Sequence, residues 1–206
     1  MFALVEDGSI TKFLSGNRGI TIGDNQYPKA IFTLWTKSER EAIGIYEVEM
    51  DISKSKDEKW YINTNITYSF GSGKVTGSYG DATAKAHADT LYTAQDETDG
   101  LGTEGEVKAE GLKTILIRNV KAQANQLLSE TDWYVTRKTE KSTAIPSNIT
   151  TWRNGIRSKQ AAMETSITNA NDTPALETLY TYVNTADEGD PVVIERPLGE
   201  FPELGS

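Results

Sequence analysis

The chain has 206 residues, no cysteine and a formal net charge of −9. Without thiols it can form neither disulfides nor thiolate metal sites, and its negative charge disfavours contact with the phosphate backbone of nucleic acids. No apolar run approaches the roughly 18 residues of a membrane span, and the N-terminal sequence does not follow the pattern of a signal peptide. We therefore expect a protein of the cytoplasm that binds neither nucleic acid nor membrane.

The first 80 residues predict a small antiparallel β-rich module. Apolar runs at 2–5 and 10–14 flank an Asp-Gly pair at 7–8, which is typical of a β-hairpin. A Gly-Asp-Asn sequence at 23–25 predicts a second turn of the same kind. Paired strands are therefore expected from the start of the chain.

The rest of this module is predicted to hold one short helix and further strands. Thr36 and Glu39 have the spacing of a capping box, which predicts a helix start ahead of a strand at 45–52. Apolar and polar side chains alternate from 60 to 70, the period of a strand with one buried face. A glycine-rich turn then predicts an antiparallel partner strand at 75–79.

Residues 81–110 predict an acidic, glycine-rich linker, because few of their side chains are large and apolar. Residues 100–105 fit the spacing GxGxxG, but acids precede them where a dinucleotide site needs a hydrophobic strand. His87 is the only histidine, which excludes a centre with several histidines within one chain. We therefore expect no catalytic residues, no cofactor and no metal.

Helical periodicity begins after the linker, in a predicted helical module at 111–186. Apolar residues recur every three to four positions over 112–128, which predicts an amphipathic helix. An extended stretch is predicted at 133–137, followed by a second helix with Ser147 as its N-cap. A third helix is predicted to start at Thr173, with a proline in its first turn.

The fold class expected from these patterns is α+β. The expected order is a β-rich N-terminal module (1–80), a linker (81–110), a helical hairpin module (111–186) and an extended acidic tail (187–206).

One stretch of the helical module resembles a known family. A helix that ends in Leu127 and Leu128 is followed by Asp132-Trp133, then Pro146, then Trp152-Arg153. This order resembles the C-terminal segment of caudoviral (bacteriophage) tail fibre assembly proteins and tail assembly chaperones. Residues 23–46 are similar to small β modules of phage tail proteins.

The resemblance implies a bacteriophage tail protein that binds the tail fibre and promotes its assembly or attachment through protein–protein contacts. The implied partner is a tail fibre or baseplate protein, and a fibre-bound form could be a trimer. The implied location is the host cytoplasm during assembly or the tail of the virion. Two alternatives stay open: a permanent virion component, such as a baseplate–fibre adaptor or minor tail protein, and a receptor- or glycan-binding tail module.

Five residues of this region are candidates for partner contacts. Trp133 and Trp152 are each either a core anchor of the helical hairpin or a contact residue. Tyr134 has the opposite parity to Trp133 in an extended stretch and is expected to be the more exposed aromatic. Arg153 and Arg157 are expected on the outer helix face, where they either pair with acidic partner groups or remain solvated.

Overall fold

The computed structural model describes residues 1–205. Contacts divide the chain into two compact units, Met1–Thr83 and Ala84–Ser206. Strands predominate in the first unit and long helices in the second, which confirms the α+β class. Within residues 1–205, no helix combines the length and the apolar composition needed to cross a membrane.

The first unit consists of short strands and two helices of about one turn. Its elements in chain order are β1 (Phe2–Glu6), β2 (Ser9–Leu14), β3 (Ile20–Ile22), β4 (Asn25–Tyr27), α1 (Ile31–Leu34), α2 (Lys37–Glu41), β5 (Ile45–Asp51), β6 (Tyr61–Ile62), β7 (Thr67–Gly71) and β8 (Lys74–Ser78). Strand β9 (Thr83–Ala84) spans the boundary with the second unit.

The predicted turns and helix cap of this unit are confirmed. β1 and β2 form an antiparallel hairpin, and both turn residues, Asp7 and Gly8, have the positive φ that a type I′ turn requires. β3 and β4 form the second hairpin. At α2, Thr36 accepts from the Glu39 N–H while the Glu39 carboxylate accepts from the Thr36 N–H.

The main sheet has five strands in the order β2-β1-β5-β8-β7. Its neighbours are antiparallel except for β5 and β8, which run parallel. The expected antiparallel sheet is therefore a mixed one. Between Asp51, where β5 ends, and Lys74, where β8 begins, lie 22 residues. A connection of this length can cross over so that the two strands run parallel.

Both faces of this sheet carry apolar side chains. On one face Leu4 and Ile45 pack with Ile31 and Phe32 of α1. The other face carries Ala3, Val5 and Val75, with Ile10, Tyr46, Val48 and Phe70 against them. The sheet curls strongly, because Phe13 of β2 and Tyr68 of β7 come from its opposite edges, yet their ring centroids are only 4.5 Å apart.

The strand predicted over residues 60–70 is wrong, because the chain turns in its middle. Trp60 and Tyr61 are both buried although they have opposite parity, and β6 ends at Ile62. Asn65 has a φ of 59°, which interrupts the extended backbone before β7 begins. The predicted partner strand is confirmed as β8, which pairs antiparallel with β7.

The second unit is dominated by two long helices. Its elements are β10 (Thr90–Leu91), α3 (Ala94–Thr98), β11 (Val107–Ala109), α4 (Leu112–Ser129), α5 (Asp132–Lys141), α6 (Ser147–Asn169), α7 (Thr173–Tyr180), β12 (Val183–Asn184) and β13 (Ile194–Glu195). α4 packs along α6, and α7 contacts α6.

The segment expected to be a linker carries regular structure in the second unit. β10 pairs with β11 around α3, whose capping box joins Thr93 and Asp96. Asp89 accepts hydrogen bonds from the N–H of Gly111 and the hydroxyl of Thr114, at the N-terminus of α4. These bonds satisfy groups that a helix N-terminus leaves free. His87 is half-buried, and its backbone carbonyl accepts a hydrogen bond from the N–H of Lys113 in α4.

The helical core follows the predicted spacing. Side chains of α4 and α6 at intervals of three or four residues are buried: Leu112, Leu116, Val120, Ala124, Ile149, Trp152, Ile156, Met163 and Ile167. α7 begins as expected, with a proline in its first turn. Asp172 is its N-cap, and the Asp172 side chain accepts a hydrogen bond from the N–H of Ala175. Ser147 is not an N-cap; it is the first helical residue, and Pro146 is the N-cap.

The C-terminal segment has an extended backbone but packs against the helices. Leu198 is buried, and its N–H donates to the carbonyl of Leu179. Phe201 packs against the cluster of Ala124, Trp152 and Ile156. The expected acidic tail therefore contributes apolar side chains to the core of the second unit.

Candidate functional site

The residues predicted as an extended stretch form a helix, α5, and that prediction is wrong. The run Trp133-Tyr134-Val135 favours a strand by intrinsic preference. The charges favour a helix, because Asp132 lies in the first turn of α5 and Lys138 and Lys141 lie in the last, where they complement the helix dipole. Contacts from α6 then fix where α5 begins.

Arg153 of α6 joins the end of α4 to the start of α5. Its guanidinium donates to the carbonyl of Leu128 at 2.7 Å, to Oγ1 of Thr131 at 2.7 Å and to Oδ1 of Asp132 at 2.8 Å. The side chain is buried, and a buried charge is tolerated only where polar partners satisfy it. We refer to Arg153, Leu128, Thr131 and Asp132 as the Arg153 cluster.

The burial of Arg153 corrects the expectation that it lies on the outer helix face. It follows Ile149 by four residues and precedes Ile156 by three, and both isoleucines are buried. Residues three and four apart share one face of a helix, so the sequence already placed Arg153 on the apolar stripe. Arg157 is exposed as expected and donates to the carbonyl of Arg153 at 3.4 Å.

Three side chains of α5 form a surface that we call the α5 platform: Trp133, Tyr134 and Arg137. The two aromatic rings stack with centroids 3.7 Å apart and planes inclined by 30°. The guanidinium carbon of Arg137 lies 4.8 Å from the Trp133 ring centroid and 5.2 Å from that of Tyr134. This geometry is a cation–π arrangement, which restrains all three side chains.

The exposure of the two aromatic residues is the reverse of the expectation. The Trp133 side chain does not pack between helices but is 52% exposed, whereas Tyr134 is mostly buried. No residue of α5 is completely buried. The sequence pattern did not indicate Arg137 as a contact residue. Its position beside Trp133, four residues earlier, requires a helix, whereas the pattern predicted an extended stretch.

Trp152 belongs to the core, not to the surface. Its indole N–H donates to the carbonyl of Pro202 at 2.8 Å, and its ring packs with Ala124 and Ile156. Of the five candidate residues, Trp133 and Tyr134 therefore lie on the α5 platform, and Trp152 and Arg153 lie beneath the surface. Arg157 lines a groove of about 630 Å³ between α4 and α6.

The α5 platform can bind an apolar surface and a carboxylate at the same time. The exposed indole offers a large apolar face, and no carboxylate within residues 1–205 forms an ion pair with Arg137. A guanidinium can donate two parallel hydrogen bonds to a carboxylate. In the same residues, no group of His, Asp and Glu side chains is arranged to hold a metal ion.

Fold and surface together define an α+β protein that presents an exposed aromatic and cationic helix. The chain matches no protein-family model, no curated protein and no solved structure. Its own residues are therefore the basis for the function proposed below.

Proposed function

We propose that this chain is a bacteriophage tail protein that binds a tail fibre or baseplate protein through the α5 platform and promotes assembly or attachment of the fibre. The observation that carries the proposal is the exposed Trp133, which is stacked on Tyr134 and follows Asp132, a partner of the buried Arg153. Rigid tryptophan, tyrosine and arginine side chains supply most of the binding energy in protein interfaces. The assignment to a phage tail rests on the sequence resemblance.

Five residues of the helical module that carry the resemblance are joined by contacts, which supports reading their order as meaningful: Leu127, Leu128, Asp132, Trp152 and Arg153. Leu127 and Leu128 pack against the cluster that contains Trp152. Arg153 bonds to the carbonyl of Leu128 and to Asp132, the residue before Trp133. The motif thus connects the helical core to the exposed indole.

The proposed mechanism is contact without catalysis. The Arg153 cluster holds the start of α5 in place before binding, so little conformational freedom is lost when a partner docks. Burying the exposed part of the Trp133 side chain is expected to contribute about 2 kcal/mol. Arg137 would select a partner surface that offers a carboxylate beside an apolar patch.

The test is co-expression with the tail fibre protein of the same phage, followed by affinity measurement on the purified partners. Trp133→Ala is expected to weaken binding by about 30-fold, the equivalent of about 2 kcal/mol. Leu101→Ala is the matched control, because Leu101 is 60% exposed in the same unit but lies outside the platform. Its affinity should equal that of the unmodified chain.

Two results would contradict the proposal. One, which contradicts the assembly role, is a fibre that reaches its soluble trimeric form equally well without this chain. The other is equal affinity of the Trp133→Ala and Leu101→Ala proteins for the fibre. The stoichiometry of the chain in purified particles separates an assembly factor, which is absent from them, from a permanent baseplate–fibre adaptor, which is present.

The exposed indole also favours a second candidate, a glycan-binding tail module, because sugar rings stack on exposed aromatic faces. In the structure one face of Trp133 is occupied by Tyr134, and the Asp132 carboxylate is bonded to Arg153. These contacts favour the protein partner over the glycan. Binding of host surface polysaccharide that is lost in Trp133→Ala, with fibre binding unchanged, would support the glycan module instead.

A further inference from the structure

We infer that the first unit carries a separate oxyanion site, in which Lys12 and Arg18 bind a phosphate monoester. The two cations line one cleft of about 510 Å³, together with Ser15, Thr21, Ile20 and Phe32. This volume lies in the usual range for sites that bind small molecules. The cleft involves no residue of the α5 platform, so the inference is independent of the proposed function.

The charge of the cleft is unusual for this chain. The whole sequence has a net charge of −9, yet no acidic side chain lines the cleft. Within residues 1–205, neither Lys12 nor Arg18 forms an ion pair. An anion bound in the cleft would be attracted to both of these positive charges.

The loop that carries Arg18 is held against the body of the unit. A Cβ atom at Gly16 would lie 3.2 Å from the Phe2 ring, and a Cβ atom at Gly19 would lie 2.6 Å from the carbonyl oxygen of Tyr27. Gly16 also has a φ of +72°, which favours glycine. The backbone is thus packed closely on both sides of Arg18, which limits the entropy lost on binding.

The chemistry of the lining indicates the ligand class. Two cations match the double negative charge of a phosphate monoester better than the single charge of a carboxylate. The Thr21 hydroxyl adds a polar group, while Ile20 and Phe32 offer an apolar wall for the organic group attached to the phosphate. Free phosphate would fill the polar part of the cleft but leave this wall uncovered.

The test is an NMR titration of the full ¹⁵N-labelled chain at pH 7.5 and low salt with inorganic phosphate, phenyl phosphate and phenol. We expect saturable shifts of the amides between Gly16 and Thr21 with both phosphates, about fivefold tighter binding of phenyl phosphate because of the apolar wall, and no such shifts with phenol. Lys12→Ala and Arg18→Ala should each weaken phenyl phosphate binding by about tenfold, since each removes a charge-assisted contact.

Lys29→Ala is the matched control, because Lys29 is an exposed lysine of the same unit that does not line the cleft. Its affinity should stay within about twofold of the unmodified chain. Unchanged binding in Arg18→Ala, or an equal loss in Lys29→Ala, would overturn the site. Equal affinities for phosphate and phenyl phosphate would overturn the assignment to a monoester. Fibre binding by these variants is expected to be unchanged, so this inference and the proposed function can fail separately.

Discussion

Arg153 shows how one buried cation can organise a surface that it does not itself form. Its donors satisfy the carbonyl of Leu128 in the last turn of α4, the Thr131 hydroxyl and the first-turn carboxylate of α5. The end of one helix and the start of the next are therefore fixed by the same side chain. Trp133 is the next residue after Asp132, so Arg153 holds the backbone directly before the exposed indole.

Arg153→Ala is expected to lower the free energy of unfolding by about 3 kcal/mol, because it leaves several polar groups without their charged partner. Arg157→Ala should change it by less than about 0.5 kcal/mol, since Arg157 is exposed and makes one long hydrogen bond. Urea denaturation of both variants measures the difference. Equal midpoints for the two variants would contradict the role assigned to Arg153.

At the scale of elements, the helices α2, α3 and α5 depend on local charges and caps more than on burial. α5 has no buried residue, and neither α2 nor α3 has one. α2 and α3 each carry a complete capping box, and in α3 the capping carboxylate of Asp96 also pairs with Lys108 of β11 at 2.6 Å. The stability of α3 should therefore depend on the ionisation of this one carboxylate.

The hydrogen bond from Lys108, followed by those from Thr93, lowers the pKa of Asp96 to about 2. Because this pKa lies below the ordinary value of 3.8, the stabilisation is fully present above about pH 4 and is lost as the pH falls towards 2. The protection of the α3 amides from exchange, relative to their intrinsic exchange rates at each pH, should fall over this interval. NMR titration of the Asp96 carboxyl measures the pKa directly.

Lys108→Met should raise the pKa of Asp96 towards its ordinary value, because it removes the Lys108 hydrogen bond that contributes most to the shift. Lys113→Met is the control, since Lys113 donates to the carbonyl of Thr168 and not to Asp96. An Asp96 that titrates near 3.8 in the unmodified chain would refute this account of α3.

At the scale of the whole molecule, the chain has two units, each with its own buried side chains. The first unit packs Ile45 against α1, and the second packs Ile156 against Trp152 and Ala124. The proposed binding surfaces follow this division: the oxyanion site lies in the first unit and the α5 platform in the second. A substitution in the core of one unit is therefore expected to affect only the binding surface of that unit.

Ile45→Ala and Ile156→Ala test this division, because both side chains are fully buried. Each is expected to destabilise its own unit by about 2–5 kcal/mol through lost burial and a residual cavity. Hydrogen exchange should accelerate in β1 and β5 for the first variant and in α4 and α6 for the second. Faster exchange in both units from either variant would show that they unfold as one.

The sequence by itself determined those features that arise within a few residues. The Asp7-Gly8 turn, the Thr36–Glu39 capping box and the apolar stripe of α4 depend on local backbone geometry and periodicity, and all three are confirmed. The α+β class followed from the same local patterns.

Only the tertiary structure decided how the features of the candidate site come together, although the spacing of Arg153 and the charges of α5 agree with it. α5 is helical against its strand preference, Arg153 is buried against the usual behaviour of a charge, and Phe201 of the acidic tail lies on the helical core. Each depends on contacts between residues that are distant in the chain, such as Arg153 with Asp132 and Trp152 with Pro202. Local preference cannot predict these contacts, because their energy arises only when the packed helices bring the partners together.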